Sequence, residues 1–367
     1  MTVLPLNDFH RHLGASFTNF GGSEVVAHYG DWLAEYAAVR ESAGLIDLSS
    51  RGRLCVLGND RTSFLNGQVT NNVKDLKAGQ GCYAALVTAK GKMQSDLNIY
   101  CLENEILLDF EPGLTATVRT RLEKFVIAED AQVVDVAPHY GLLSAQGPKA
   151  AELIHHAALG LAVPKEAFSV ASASHPAFGE IYLTNRARTG SQGFDLFVPI
   201  GSMAAAAGTL GAVVGRWCGW KALETVRIEA AIPRFGMDMD ETNLPPEAGL
   251  DSNAISYSKG CYIGQEVIAR IRTYGQVAKS LRGLRLPGNL KKLPQRGDKL
   301  FKGDKEAGYV TSAVASPTLK ANIALAYVRR ETAHTGAALT VQATEGEFPV
   351  EIVNTPFCRD ETRLPPA

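Results

Sequence analysis

The chain has 367 residues and a mass of 39.3 kDa, enough at about 150 residues per domain for two or three domains with a core that needs no staple. Lys plus Arg number 37 against 38 Asp plus Glu, a formal charge of −1, which excludes nucleic-acid binding by bulk charge but leaves room for a local basic pocket. Hydrophobic residues are 46% and charged residues 20%, the composition of an ordinary globular protein; the 35 glycines imply many turns and therefore many strands.

The stretch from Met1 to Phe17 has no basic region followed by an apolar core, and no apolar run reaches about 18 residues. A cytoplasmic protein without a signal peptide or membrane span is expected. The six cysteines are Cys55, Cys82, Cys101, Cys218, Cys261 and Cys358, with no CxxC or CxxxxC spacing among them. Free thiols and no resident zinc or iron–sulfur cluster are therefore expected.

In chain order, the first helix is predicted over Asp31 to Ser42, with Asp31 as its N-cap and Gly44 beyond its end. Leu54 to Leu57 reads as a strand, and Asp60 can open a short helix through Phe64 and Leu65. Ala84 to Thr88, a turn at 89–92 and the return Met93 to Cys101 make the most legible hairpin. On that return strand Met93, Leu97, Ile99 and Cys101 point one way, and Gln94, Asp96, Asn98 and Tyr100 the other. Leu114, Val118, Leu122 and Phe125 mark a helix, and Val133 to Val136 a strand. A second α+β stretch follows over about 140–255, with a helix after Pro148, a strand Phe194 to Val198, and helices over Met203 to Val214 and Ala222 to Ala231. The Pro-, Gly- and Asp-rich segment Pro233 to Asn253 reads as an ordered loop. After about residue 280 only short strands between turns remain, which predicts a small all-β barrel or sandwich.

No GxxxxGK[ST], GxGxxG after a strand, HExxH or GxSxG motif occurs. His155 and His156 are adjacent on a predicted helix and face different directions, so surface histidines are the simpler reading. Asp96 sits mid-strand, where Asp is depleted. It is either a solvent-facing residue or a carboxylate lining a cavity between domains, placed to hold or protonate a nitrogen heterocycle.

The sharpest segment is Lys259-Gly-Cys-Tyr-Ile-Gly-Gln-Glu266. Gly260 and Gly264 bracket Cys261 and imply a tight backbone, while Tyr262, Gln265 and Glu266 complete the motif. Val267, Ile268 and Ile271 then form one face of a short helix with Glu266 and Arg270 four residues apart. A following helix N-terminus and the nearby Lys259 would favour thiolate at Cys261. The alternative is a buried, inert thiol.

That eight-residue motif resembles the signature of the YgfZ family, folate-binding proteins that support iron–sulfur enzymes. From about Arg40 to Arg359 the chain is similar to the glycine-cleavage T-protein (aminomethyltransferase) superfamily, which contains YgfZ. The resemblance is carried by Gly44-Leu-Ile-Asp-Leu-Ser49, Phe64-Leu-Asn-Gly-Gln-Val-Thr-Asn71, Gly91-Lys-Met-Gln-Ser-Asp-Leu97, Gln146-Gly-Pro148, Gly193-Phe-Asp-Leu196, Gly236-Met-Asp-Met-Asp240 and Ser316-Pro-Thr-Leu319.

It implies an α+β fold: a three-domain cloverleaf of antiparallel α+β domains plus a C-terminal all-β barrel, with tetrahydrofolate in the central hole. The domains would be 1–52 with 138–278, an inserted 53–137, and 279–367. By the same resemblance Asp96 faces the folate reaction centre, Asp195 matches an acidic residue that holds the pterin, and Arg359 matches a C-terminal arginine near the pocket.

Three departures from T-proteins matter. Ser95-Asp96 replaces a pair of aspartates. Leu223, in Gly219-Trp-Lys-Ala-Leu-Glu224, replaces an arginine that contacts folate. T-proteins also lack the Lys-Gly-Cys-Tyr segment. Asp96, which YgfZ proteins often lack, is a remnant of the transferase site.

The reading these residues favour is a folate-binding accessory protein for assembly or repair of iron–sulfur clusters. Cys261 would be its reactive or partner-contacting group, and iron–sulfur enzymes or their assembly proteins its partners. The rival is a folate-dependent aminomethyl- or methyltransferase working through Asp96 with a lipoylated carrier protein or a small methyl donor. A third reading is a non-catalytic scaffold.

Overall fold

The computed structural model describes residues 2–358, with Tyr274 by its backbone alone. It divides into two compact units. The first comprises residues up to Val87, Gln94–Leu223 and Asn253–Ile263; the second comprises Thr88–Met93, Glu224–Ser252 and the described residues from Gly264 onward.

Two five-stranded antiparallel sheets build the first unit. One orders its strands Val170–His175, Gly179–Asn185, Gly193–Pro199, Tyr140–Gln146 and Gly44–Asp47. The other orders Gly81–Val87, Met93–Cys101, Ile106–Phe110, Gly52–Leu57 and Gln132–Asp135. Each sheet has one apolar face. In the first, Leu143, Leu196 and Ile181 pack with Ile154 of helix Ala150–His156 and Leu210 of helix Met203–Val214. In the second, Leu54, Leu97 and Leu108 pack with Leu65 of helix Arg61–Gln68 and with Val118 and Leu122 of helix Thr115–Glu123.

The strand period of two then forces the polar residues onto the opposite faces. These faces meet. Asp109 of one sheet bonds Arg188 beside the other, Asn98 bonds Arg186, and Tyr100 meets Phe197 edge-on with ring centroids 6.1 Å apart. The interior between the sheets is therefore polar and charged, while the oily layers lie under the helices.

Local signals explain the elements. Asp31 Oδ1 accepts from the Ala34 amide at 3.1 Å and starts helix Trp32–Glu41 as a side-chain cap. The hairpin turn of the predicted 84–101 unit is closed by Gly91, which has φ 71° and whose N–H donates to the Thr88 carbonyl at 2.8 Å. Sequence periodicity misses Ser16–Phe20, Ser23–His28, Val170–His175 and Gly179–Asn185, whose short polar-rich runs alternate too weakly to read.

In the second unit, six strands close into a barrel: Lys279–Leu286, Ala321–Arg329, Lys305–Ser316, Lys299–Lys302, Ala338–Ala343 and Gly346–Val353, which pairs back onto the first. Closure leaves no free sheet edge. Leu284, Leu300, Val310, Ala324, Val341 and Ile352 fill it. The 233–253 segment is ordered, as expected. Its Asp238 accepts from Thr311 and Ser312 hydroxyls at 2.6 and 2.7 Å, beside the barrel bulge, and pairs with Arg227.

Gly308 makes the tightest strand crossing in the barrel, because a Cβ there would lie 1.9 Å from the Tyr327 carbonyl oxygen. Backbone has no rotamer with which to escape. Gly308→Ala is expected to lower the free energy of unfolding by about 2–3 kcal/mol, read as an earlier urea midpoint at an unchanged slope; an unchanged midpoint would refute the crossing.

Candidate functional site

Asp96 lies on the polar face of strand Met93–Cys101 and is only 8% exposed. It is not the solvent-facing residue that an isolated hairpin would make it. Its Oδ2 accepts from the Tyr83 hydroxyl at 2.8 Å. Its Oδ1 is buried and has no hydrogen-bond partner. Burial, then the Glu111 carboxylate, push the Asp96 carboxyl up, against the opposing pull of Arg51 and the Tyr83 hydroxyl. Neighbouring Ser95 is turned away, its hydroxyl on the Asp96 carbonyl at 2.8 Å.

Around Asp96 runs a chain of charged groups. Arg51 Nε donates to Asp109 Oδ1 at 2.6 Å and its NH1 to Glu111. Arg188 NH2 bridges Asp109 Oδ2 at 2.7 Å and Asp195 Oδ2 at 2.6 Å. Asn98 Nδ2 also reaches Asp109 Oδ2, at 2.7 Å. Burial alone would raise the Asp109 carboxyl, but Arg51 and Arg188 overcome it and hold the group far below the ordinary carboxylate range. Burial likewise works against the Arg188 cation, and Asp195 and Asp109 more than reverse it. Both arginines are shared between two carboxylates, so neither neutralises Asp96 directly.

Asp195, predicted to hold a heterocycle itself, is fully buried and its oxygens are engaged: Oδ1 by the Ser144 hydroxyl at 2.6 Å, and both oxygens by Arg188. It presents Arg188 rather than itself. Arg359 lies outside the described residues.

Sequence reasoning missed Tyr83, Phe168, Arg186 and Arg188. The rings of Tyr83 and Phe168 are nearly parallel, 11° apart in plane and 6.4 Å between centroids, and the Arg186 guanidinium lies 5.6 and 5.1 Å from the two centroids. Phe168 has φ 61°, a left-handed conformation unusual for a bulky residue and often found at functional sites. The one signal available was the alternation of arginines in Asn185-Arg-Ala-Arg188.

The Lys259 motif is built differently from its sequence reading. Lys259 is 9% exposed, and its ammonium donates to three carbonyls: Asn66 at 2.6 Å, Val69 at 2.9 Å and Asn71 at 2.7 Å. It caps the C-terminal end of helix Arg61–Gln68, where carbonyls lack helical partners. The cation is thereby committed to the backbone rather than to the thiol. Burial lowers its pKa to about 8, with Cys82 opposing. Tyr262 is buried, the Ile263 amide bonds the Gly67 carbonyl at 3.1 Å, and Cys261 between them is exposed. Gly260 has open space around it. Gly264, at φ 87°, is the N-cap of helix Gln265–Tyr274, on which the exposed Glu266 and Arg270 pair at 3.1 Å. Cys55, Cys101 and Cys218 are buried, while Cys82 and Cys358 are partly covered.

The GCVT N-terminal domain family matches residues 6–259, and the glycine cleavage T-protein C-terminal barrel domain matches 279–358. An aminomethyltransferase of Thermosynechococcus vestitus is 32% identical over 95% of this chain and 93% of its own. One of Symbiobacterium thermophilum is 32% identical over 98% of both chains. A crystal structure of the glycine cleavage system aminomethyltransferase T from Bartonella henselae superposes with a TM-score of 0.88 at 25% identity, covering 98% of each chain. The chain belongs to the glycine-cleavage T-protein family.

Removing one partner of the buried ion network leaves the others uncompensated, so Asp109→Asn is expected to cost about 3–5 kcal/mol in urea unfolding. The Asp109 carboxyl is depressed in the folded state, so its contribution is full above the unfolded carboxyl range and fades as pH falls below about 4. The stability gap between wild type and variant should therefore close in acid; a gap constant down to pH 2 would contradict the network. Lys259→Met strands three carbonyls and is expected to cost at least about 2 kcal/mol, with faster proteolysis within 66–71; a silent substitution would remove the capping role.

Proposed function

We propose that the protein is a tetrahydrofolate-dependent aminomethyl- or methyltransferase whose reaction centre is Asp96. The observation that carries this reading is the buried, unpartnered Asp96 Oδ1, held in place through Oδ2 by Tyr83. A buried carboxylate oxygen without a donor is costly unless a ligand supplies one. A pterin is flat, rich in N–H groups, and suited to the near-parallel faces of Tyr83 and Phe168. The donor set therefore fits tetrahydrofolate.

Bound there, tetrahydrofolate supplies the nitrogen that takes up a one-carbon unit. Asp96 orients that nitrogen by accepting its proton at Oδ1. Its raised pKa would let the carboxyl hold the proton released as a new nitrogen–carbon bond forms and pass it to the group leaving the one-carbon donor. Tyr83 fixes the carboxyl plane. Asp195 and Asp109 position Arg188, which presents a cation toward the polar groups of the pterin. The family relatives named aminomethyltransferase support this chemistry, and the barrel of 279–358 accompanies it in that family. The donor is a lipoylated carrier protein or a small methyl donor.

A second reading rests on one observation, the exposed Cys261 in its anchored Lys259-to-Glu266 loop. It is the folate-binding accessory role toward iron–sulfur enzymes or their assembly proteins that the YgfZ-like motif suggests, set in the cytoplasm.

The two readings separate by mutation. Under the transferase reading, Asp96→Asn abolishes one-carbon transfer by at least about 100-fold, and Cys261→Ser leaves it intact. Because the buried carboxyl is raised when folded, its penalty is full above the folded pKa and is relieved as pH falls through it. Asp96→Asn should thus raise the unfolding midpoint at neutral pH by about 2–4 °C, with the gain shrinking in acid. Full transfer activity in Asp96→Asn, with iron–sulfur enzyme activity lost in Cys261→Ser, would decide for the accessory role.

A further inference from the structure

The register of the second sheet sets the polar residues around Asp96 out in rows. Asn98 pairs with Asp109 across one strand pair, and Asp109 with Arg53 across the next. Side chains two residues apart on a strand share a face. Carried on by two residues, the same register places Glu111 opposite Asp96 and Arg51 opposite Glu111. The row Asp96–Glu111–Arg51 thus lies beside the row Asn98–Asp109–Arg53. The contacts agree with this placement: Arg51 reaches both Asp109 and Glu111, and Asn98 reaches Asp109.

Residues directly opposite on one face have Cβ atoms about 5 Å apart, close enough for two carboxylates to repel. Asp96 and Glu111 are both buried, so water screens neither well. Arg51 is divided between Glu111 and Asp109, and Asp96 forms no ion pair among the described residues. The other charged groups nearby are committed: Arg188 to Asp109 and Asp195, and Arg186 to Asn98 and the Tyr83 ring. Burial and Asp96 push the Tyr83 hydroxyl well above its ordinary range, so it remains a donor to Asp96. Two neighbouring carboxyls with one cation between them do not both ionise readily, and the proton goes to the one the cation leaves out.

We propose that Asp96 and Glu111 form a carboxyl dyad sharing one proton, in which Glu111 is the positioning residue that directs the proton to Asp96. Arg51 holds Glu111 ionised, and the fixed negative charge of Glu111 makes Asp96 the stronger proton acceptor. Burial and Glu111 act on the Asp96 carboxyl in the same direction. When Asp96 takes a proton at Oδ1 its charge falls from negative to neutral, while Glu111 stays negative. This role of Glu111 rests on the reading of Asp96 as the reaction centre, and it sets the pH above which that residue is free to accept a proton.

The test uses the full chain without folate, with aspartate and glutamate isotope-labelled at the side-chain carboxyl carbon. Carbon NMR follows each carboxyl against pH, and the Asp96 and Glu111 signals are those lost in Asp96→Asn and Glu111→Gln. In the wild type both signals should respond at each of two midpoints. In Glu111→Gln, which keeps a hydrogen-bonding group opposite Arg51, the Asp96 midpoint should fall by at least about one pH unit. Glu111→Asp, which restores the charge, should return it toward the wild-type value. The acid limb of kcat/KM for transfer should move down in Glu111→Gln by the same amount, a shift that lost packing alone does not produce. An Asp96 midpoint unmoved in Glu111→Gln, or equally low in Glu111→Asp, overturns the dyad and leaves the transferase reading standing. Full transfer activity in Asp96→Asn removes the reaction-centre reading instead, and the folate-free titration still decides the dyad. Should Glu111→Gln fail to fold, the wild-type titration decides alone, and a single independent step at Asp96 overturns the dyad.

Discussion

Asp109 is the residue on which the first unit turns. A carboxylate with no exposure is tolerated in a protein interior only if several donors reach it, and here two arginines and an asparagine do. Those donors come from different places: Arg51 precedes one strand of its own sheet, Asn98 stands on the neighbouring strand, and Arg188 follows a strand of the opposing sheet. Satisfying one charge therefore fixes how two sheets face each other. An oily interface could slide by a residue at modest cost; this one cannot without stranding ions.

The same constraint creates the candidate site. With the helices taking the apolar faces, every polar position on the inner faces is buried whether or not it finds a partner. Most do. Asp195 has Arg188 and Ser144, Asn98 has Arg186 and Asp109, and Glu111 has Arg51. Asp96 has one bond from Tyr83 and an empty oxygen, and Arg53 has three carbonyls and an empty N–H. Asp96 is one of the places where the internal pairing stops, and a ligand site is a place where pairing has been left for another molecule to finish.

The Lys259 segment illustrates how a motif's residues divide their work. Its lysine, tyrosine and Ile263 amide anchor the loop to the end of helix Arg61–Gln68, through three carbonyls, a buried ring and one backbone bond. The cysteine between them is the residue presented to solvent. A buried lysine is a strong anchor because its three donors can be met by three fixed acceptors at once, and removing it leaves all three unmet. Whatever Cys261 does, it is held by groups whose own role is structural.

The sequence by itself determined the elements with strong period. The 84–101 hairpin, the helices at 31–42 and 203–214, and all six barrel strands follow from local alternation, caps and turn glycines. It also singled out Asp96 as a carboxylate needing a reason and Cys261 as the cysteine most open to solvent, because both break the pattern around them. Only the tertiary structure decided what those residues touch. That Asp195 meets Ser144, that Lys259 faces carbonyls, that Phe168 stacks on Tyr83 and that Arg188 reaches Asp109 depends on contacts across 51 to 190 residues of chain. Local periodicity tells which face of a strand is polar. It carries no information about which distant polar face will cover it, and in this protein that covering face sets both the charge and the unfinished bonds of the site.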